Sequence, residues 1–331
     1  MPHARLSTAD VQAEAPGLSL SLSRVGVTEV EKVVRIGQGS RGQLFSARFE
    51  CFVDLGTDQK GAHMSRFEEV VNDAIGEVVL GEAAFRAELL AMHIAEKVRD
   101  RQGARSAEVH IGARYPEYKP APVSGIQTQE IYELLGTAVA SERGTRRLIG
   151  VRAQGMTACP CAQRLVQDNA RERLERDGFS EDEIERVFAA VPVATHNQRG
   201  LGTLRIGCPE DSDVDIDAKR LLAIVENSMS SEIYELMKRS DEGAVVEKAH
   251  RRPRFVEDCV REMVRGVVEE FGSELADDSF VSAHQENLES IHQHNVIAER
   301  FGMLGEIRRE LASGERSERH VSMREWLDGA A

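Results

Sequence analysis

An α+β fold built twice over, two antiparallel sheets each backed by helices, is what the amino-acid sequence predicts. Three observations carry that expectation. Phe45, Ala47, Phe49, Cys51 and Val53 alternate with other residues at the period of two that turns one face of a strand toward a core. Val256, Cys259, Val260, Met263, Val264, Val267, Val268 and Phe271 keep the three-and-four spacing of a helix lying on a sheet. The order strand, strand, helix, helix, strand, strand in the first half recurs in the second with an insertion, although no sequence repeat is visible.

Residues 1–24 are small and mixed, with Pro2 and Pro16 and no sustained period, and read as a flexible N-terminal arm. Val25 to Ile36 and the alternation from Phe45 make a hairpin, with Gly37-Gln38-Gly39-Ser40-Arg41-Gly42 as its turn. Met64, Phe67, Val70, Val71 and Ile75 fit one helix face, and Phe85, Leu89, Met92 and Val98 fit a second. Strands over Ala107 to Ala113 and Thr128 to Ala140 complete a first module, residues 25–141.

Ile149, Val151 and Ala153 open a second module, residues 142–331. Residues about 162–190 are a helical insertion in which Ser180 and Glu183 form a capping box. Leu204, Ile206 and Cys208 alternate as a strand; a helix around Leu221, Leu222, Val225 and Met229 is expected to continue to Met237. After the long helix from Val256, Phe280 to Leu288 and the segment from His294 read as a closing strand pair.

A chain of 331 residues, 41% hydrophobic and 30% charged, has room for two domains, or one large one, with ample core. No apolar run nears the ~18–20 residues that span a bilayer, and no signal-peptide pattern opens the sequence, so no membrane partner and a cytoplasmic location are expected. Five scattered cysteines, an odd number, argue for free thiols over a disulfide framework. The net charge of −14 disfavours nucleic acid, although a few local basic groups suffice for a nucleotide.

The chemistry is concentrated in three blocks: Met156-Thr157-Ala158-Cys159-Pro160-Cys161, Thr195-His196-Asn197-Gln198-Arg199-Gly200 and Glu289-Ser290-Ile291-His292-Gln293-His294. Thiolate, imidazole and carboxylate together make a ligand set for a catalytic divalent metal. Pro160 fixes its own φ and restricts Cys159, which holds the thiols in a defined pose; a Cys-x-Cys redox pair is the competing reading. His292 and His294 share one side of an extended segment, where one could bind metal and the other shuttle protons. Carboxylates are too many to choose between: Glu242 or Glu247 suits an oxygen ligand, and Glu257 sits in the first turn of the long helix, where acid also suits the dipole. No GxxxxGK[ST] or GxGxxG phosphate cradle is present, which leaves clusters such as Lys60, His63 and Arg66 for phosphates.

These three blocks, with Gln59-Lys60-Gly61-Ala62-His63-Met64-Ser65-Arg66, Lys238-Arg239-Ser240-Asp241-Glu242 and Phe255-Val256-Glu257-Asp258, resemble the type IB GTP cyclohydrolase family over residues 25–311. The insertion, Gln285-Glu286-Asn287 and the Gly305-to-Leu311 tail resemble its archaeal, MptA-type branch. The resemblance implies a tunnelling fold of two modules per chain, assembled into a homotetramer. It implies GTP as substrate, formate as one product, and 7,8-dihydroneopterin 2′,3′-cyclic phosphate plus diphosphate as the others, feeding folate- or methanopterin-type pterins. It implies one divalent metal per subunit, Fe(II) foremost, with Zn or Mn as alternatives.

Carried over by motif, Cys159 and His196 match the metal ligands and Glu242 the third, with Glu247 as fallback; Glu257 matches the guanine anchor. Glu289, His292 and His294 match the acid–base cluster, and Lys60, His63, Arg66 and Arg199 are candidate substrate contacts. Ser240 departs from the proline the family often has there. The alternatives are ring opening to the triphosphate product, a non-catalytic purine- or pterin-binding protein of the same fold, and a thiol-based nitrile reductase on a related fold.

Overall fold

The computed structural model describes residues 10–36, 43–76, 86–210, 212 and 214–329, so the expected turn at 37–42 lies outside the described residues. The chain divides into two compact units: Met1–Ala113 with Leu135–Ile149 and Leu327–Ala331, and Arg114–Leu134 with Gly150–Trp326.

In the first unit, β1 (Leu22–Ile36) and β2 (Gln43–Leu55) pair antiparallel, and β2 pairs β3 (Ala107–Pro120) with Phe49 opposite Ile111. The alternation read from the sequence is the burial pattern: Phe45, Ala47, Phe49, Cys51, Val53 and Leu55 all face the core. Register shifts between Leu22 and Val25 and between Val27 and Val30 bend β1, and Glu29 takes a left-handed φ of 56° in the second.

Two helices cover these strands, α1 (Met64–Ala74) and α2 (Ala87–Gln102). The α1 face is as expected, with Phe67, Val70 and Val71 buried. The α2 face is turned from the expected one: Ala87, Leu90, Ala91, Ile94, Ala95 and Val98 are buried, whereas Leu89 and Met92 are half-buried and Phe85 lies outside the described residues. Small side chains explain the turn, because Ala87, Ala91 and Ala95 let the helix lie close. A Cβ at Gly136 of β4 (Gln127–Ser141) would stand only 2.3 Å from the Ala87 carbonyl. Gln12 and Glu14, in the segment read as an arm, accept backbone hydrogen bonds from the amides of Lys60 and Gly61.

In the second unit the strand order is β3-β4-β5-β6-β8-β9, with the two-residue β7 (Ser231–Glu232) on β5 (Gly144–Ala158). Its other strands are β6 (Asn197–Cys208), β8 (Phe280–Leu288) and β9 (Val296–Met303), antiparallel where β8 meets its two neighbours. The insertion is two helices, α3 (Pro160–Arg176) and α4 (Glu181–Ala190). The Glu183 carboxylate accepts from both the Ser180 amide and hydroxyl at 2.8 Å, which closes the start of α4.

Helices α5 (Ala218–Ser228) and α7 (Val256–Phe271) lie on the sheet, and α7 buries Cys259, Met263, Val267 and Phe271 completely. Each such side chain contributes roughly 1.5–3 kcal/mol of transfer free energy. Helix α5 stops at Ser228 instead of reaching Met237. The Arg252 and Arg254 guanidiniums take the Asn227 and Ser228 carbonyls, and Ser231 pairs with Met156 of β5. The segment expected to extend α5 leads into a helix the periodicity missed, α6 (Arg239–Arg251). Helix α8 (Leu304–Ser313) follows β9, and α9 (Met323–Leu327) seats Trp326 over Gly207, with its indole N–H donating to the Asp278 carbonyl at 2.9 Å.

Candidate active site

Three strand ends bring the sequence blocks together within the second unit. Strand β5 stops at Ala158, β6 starts at Asn197 and β8 stops at Leu288, and these strands are neighbours in the order β5-β6-β8. The residue just beyond each end therefore belongs to a motif: Cys159, His196 and Glu289. The Cys159 amide donates to the His196 carbonyl at 3.1 Å, and the Thr195 hydroxyl donates to the Cys159 carbonyl at 3.0 Å. This backbone pairing joins the residues that carry the thiol and the imidazole, 37 positions apart in sequence.

Cys159 is the N-cap of α3, and its sulfur accepts from the Ala162 amide at 3.5 Å. Pro160 occupies the first helical position, where the missing N–H costs nothing, and the Ala162 amide of the first turn is the one that faces the sulfur. Gln163 fastens this turn by donating to the Val193 and His250 carbonyls at 2.7 and 2.6 Å. His250, on α6, in turn approaches the Thr195 carbonyl at 3.3 Å. Cys161 is exposed, and neither cysteine of the pair is in a disulfide.

His196 is mostly buried, and its Nδ1 has no hydrogen-bond partner among the described residues. Glu289 Oε2 lies 3.9 Å from it, too long for a hydrogen bond. The His292 ring stands edge-on to it at 6.5 Å and 89°, and His292 and His294 stack at 5.1 Å and 14°. The segment between β8 and β9 that carries them is a bend rather than a strand, yet it places both rings on one side. Gln198, a residue the sequence reading passed over, donates from Nε2 to Glu289 Oε1 at 3.1 Å. Its Oε1 is buried without a partner among the described residues, as are the hydroxyls of Thr157 and Ser231. An unsatisfied buried polar atom costs ~1–3 kcal/mol, so several around one cluster mark a place arranged for something other than stability.

Among the described residues no hydrogen bond or ion pair ties the other expected residues to Cys159 or His196. Glu242 and Glu247 are exposed on α6, Glu247 bound to Arg251 at 2.8 Å. The buried acid of that block is Asp241. Burial pushes its carboxyl upward, but donors from Ser124, Lys238 and Val123 outweigh that and hold it well below the usual carboxylate range. Glu257 is exposed at a cavity of about 670 Å³ walled by Val260, Val264, Ile307 and Arg300. Arg199 is exposed on β6 and donates to Gln154 at 2.9 Å.

In the first unit, Lys60 pairs with Glu14 at 3.2 Å, His63 Nε2 lies 2.9 Å from Asp10, and Arg66 donates to the Arg101 carbonyl at 3.1 Å. Every member of that basic cluster thus already has a partner.

Among the described residues no group of three His, Cys, Asp or Glu side chains stands close enough to hold a metal ion. The donor chemistry fits one nonetheless. A thiol and an imidazole sit on residues that a backbone hydrogen bond joins, and that pair of donors is one a divalent ion takes.

A family model described as "Type I GTP cyclohydrolase folE2" matches residues 8–298. A GTP cyclohydrolase MptA from Methanococcus aeolicus is 42% identical over 309 residues, covering 91% of this chain and 99% of that protein. One of the same name from Methanosarcina acetivorans is 41% identical over 321 residues, covering 94% and 99%. Among solved structures, the uricase from Arthrobacter globiformis superposes with a TM-score of 0.50 at 9% identity, over 90% of this chain and 96% of that one. At that identity the likeness speaks for the fold alone.

Proposed function

The chain belongs to the type I GTP cyclohydrolase family, and we propose that it is an enzyme opening the imidazole ring of GTP, with release of C8 as formate. The finer reading gives 7,8-dihydroneopterin 2′,3′-cyclic phosphate plus diphosphate, the first step toward a folate- or methanopterin-type cofactor. The observation that supports catalysis most is the meeting of Cys159, His196, Glu289 and the stacked His292/His294 pair at three neighbouring strand ends.

Glu257 accepts two N–H bonds from the guanine edge, which disfavours bases lacking paired donors. Lys60, His63, Arg66 and Arg199 meet the phosphates, Lys60 and His63 after leaving Glu14 and Asp10. Water adds to C8 while a ring nitrogen takes a proton, and the exposed, stacked His292 and His294 supply it and take one back as the formamide is hydrolysed. Glu289, which faces His196, balances the charge that this transfer creates.

Cys159 and His196 would hold a divalent ion, Fe(II) foremost and Zn or Mn as alternatives. The third ligand is Glu242, or Glu247 in its place, approaching from α6. Such an ion supplies the acidity that makes a water molecule nucleophilic near neutral pH. The working form is a homotetramer. Strands β1 and β9 are the terminal members of the strand order among the described residues, and edge strands of this kind can pair with another copy.

Incubation with GTP and Fe(II) without oxygen tests the reading. Formate and, after oxidation, pterin fluorescence are expected, and the phosphorus count of the product by mass separates cyclic phosphate from triphosphate. Unchanged GTP in the presence of Fe(II), Zn and Mn would refute it.

A further inference from the structure

We propose that Gln198, acting through Glu289, keeps the proton of His196 on Nδ1 and so leaves Nε2 as the nitrogen that faces the metal. This rests on the reading of His196 as a metal ligand.

The geometry runs in one direction. Gln198 is 8% exposed on β6, a strand paired along its length with β8. The partnership of Arg199 with Leu288 places Gln198 against the residue after β8, and its Nε2 reaches Glu289 Oε1 at 3.1 Å. Glu289 itself stands where β8 has ended and the bend toward β9 begins, so its backbone lacks the ladder that steadies Gln198. An amide on a rigid strand therefore holds a carboxylate on a loop. With Oε1 engaged, the free oxygen is Oε2, and it is the one turned toward Nδ1 of His196.

A neutral imidazole has one N–H and one lone pair. A carboxylate beside Nδ1 accepts only if the proton is there, and the lone pair then belongs to Nε2. Metal-bound histidines characteristically have such an acceptor on their other nitrogen, and losing it costs ~10–100-fold in metal affinity. The separation of 3.9 Å is about 1 Å longer than a hydrogen bond, of the kind that tightens when a site is loaded. Both side chains are largely shielded, at 14% and 8% exposure, so little water competes for either atom. Gln198 touches neither metal nor substrate in this account and is a positioning residue.

Nitrogen-15 shifts of His196 in the metal-free protein read the tautomer directly, and competition against a chelator reads metal affinity. Wild type is expected in the Nδ1–H form. Gln198→Met keeps the length but removes the donor, and should mix the tautomers and weaken metal binding about tenfold or more. Gln198→Glu sets a second carboxylate against Glu289 and should weaken it further. Glu289→Gln should match Gln198→Met, and the two together should add little, because each removes the same link. Glu289 lies outside the strands, so its variant carries the test should Gln198→Met fail to fold. An Nε2–H tautomer in wild type, or wild-type affinity in a folded Gln198→Met or Glu289→Gln protein, overturns the proposal. Wild-type metal affinity in Cys159→Ala and His196→Ala would instead remove the ligand reading, and this inference with it.

Discussion

The basic cluster of the first unit and the thiol–imidazole cluster of the second were read from similar sequence blocks, yet the chain treats them oppositely. Around Lys60, His63 and Arg66 each cationic side chain is engaged, by Glu14, Asp10 and the Arg101 carbonyl, although the buried His63 Nδ1 lacks a hydrogen bond among the described residues. Around Cys159 and His196 the polar atoms are buried and several lack partners: His196 Nδ1, Gln198 Oε1 and the Thr157 hydroxyl. The first arrangement must give up contacts before it meets an anion. The second has forgone stability in advance, so a ligand there gains bonds without breaking any.

The sharpest way to break the comparison is at the unsatisfied cluster. Cys159→Ala is expected to lower turnover by roughly 10³-fold or more and to empty the metal from purified protein, measured by product formation and elemental analysis. Because the thiol makes only one long capping contact, the variant should melt close to wild type; near-normal turnover would unseat Cys159 as a ligand.

A matched pair of glycines sharpens the contrast in packing. A Cβ at Gly200 would fall 2.4 Å from Gln285 Nε2, and Gln285 is fully buried and bonded to Asn287. Gly200→Ala should therefore cost ~1–3 kcal/mol in denaturant unfolding. At Gly61, in the loop of the satisfied cluster, the same atom would meet Gln12 at an ordinary 3.7 Å, and Gly61→Ala should stay within ~0.5 kcal/mol.

Releasing the first cluster from its own acids should help a phosphate. Asp10→Asn combined with Glu14→Gln is expected to lower KM for GTP ~2–5-fold with kcat unchanged, since exposed pairs of this kind are individually weak. An unaltered or raised KM would mean that Lys60 and His63 do not meet the substrate.

Acid gives the smallest effect. Burial raises the Glu310 carboxyl, but hydrogen bonds from Ser317 and Arg300 more than offset it and hold the pKa at about 2. A depressed folded-state value contributes stability above the unfolded pKa near 4.3 and loses it as pH falls toward 2. Amide exchange in residues 314–322 should speed up over that window, while Glu310→Gln should show little further change with acid.

Much of this was legible in the sequence wherever one face alone decides. Strand β2 and helix α7 bury the residues that their periods nominate, apart from the half-buried Val268. Helix α2 was misread because its buried stripe is rich in alanine, which hydrophobic contrast underweights. Helix α6 was missed because it buries only Asp241, Val245, Ala249 and His250 and exposes the rest. Asp241 carries a signal of its own, an acid three residues after Lys238 that accepts from that residue's amide at 2.8 Å. The site was half legible. Cys159, His196, Glu289 and the two histidines announce themselves by residue type, but what joins them is strand adjacency, which no local pattern encodes. Gln198 was available to the same argument, being two residues from His196 on an extended segment and so on the same side.

Trp326 is the chain's single tryptophan, and its ring occupies the space that Gly207 leaves open on β6, against Phe280. The intrinsic fluorescence of this protein is consequently a one-probe optical gauge for β6 and β8, the two strands whose opposite ends lead to His196 and Glu289. Red-shifted emission would announce loosening of that scaffold before any assay of turnover is run, and loss of the last few residues would silence the gauge.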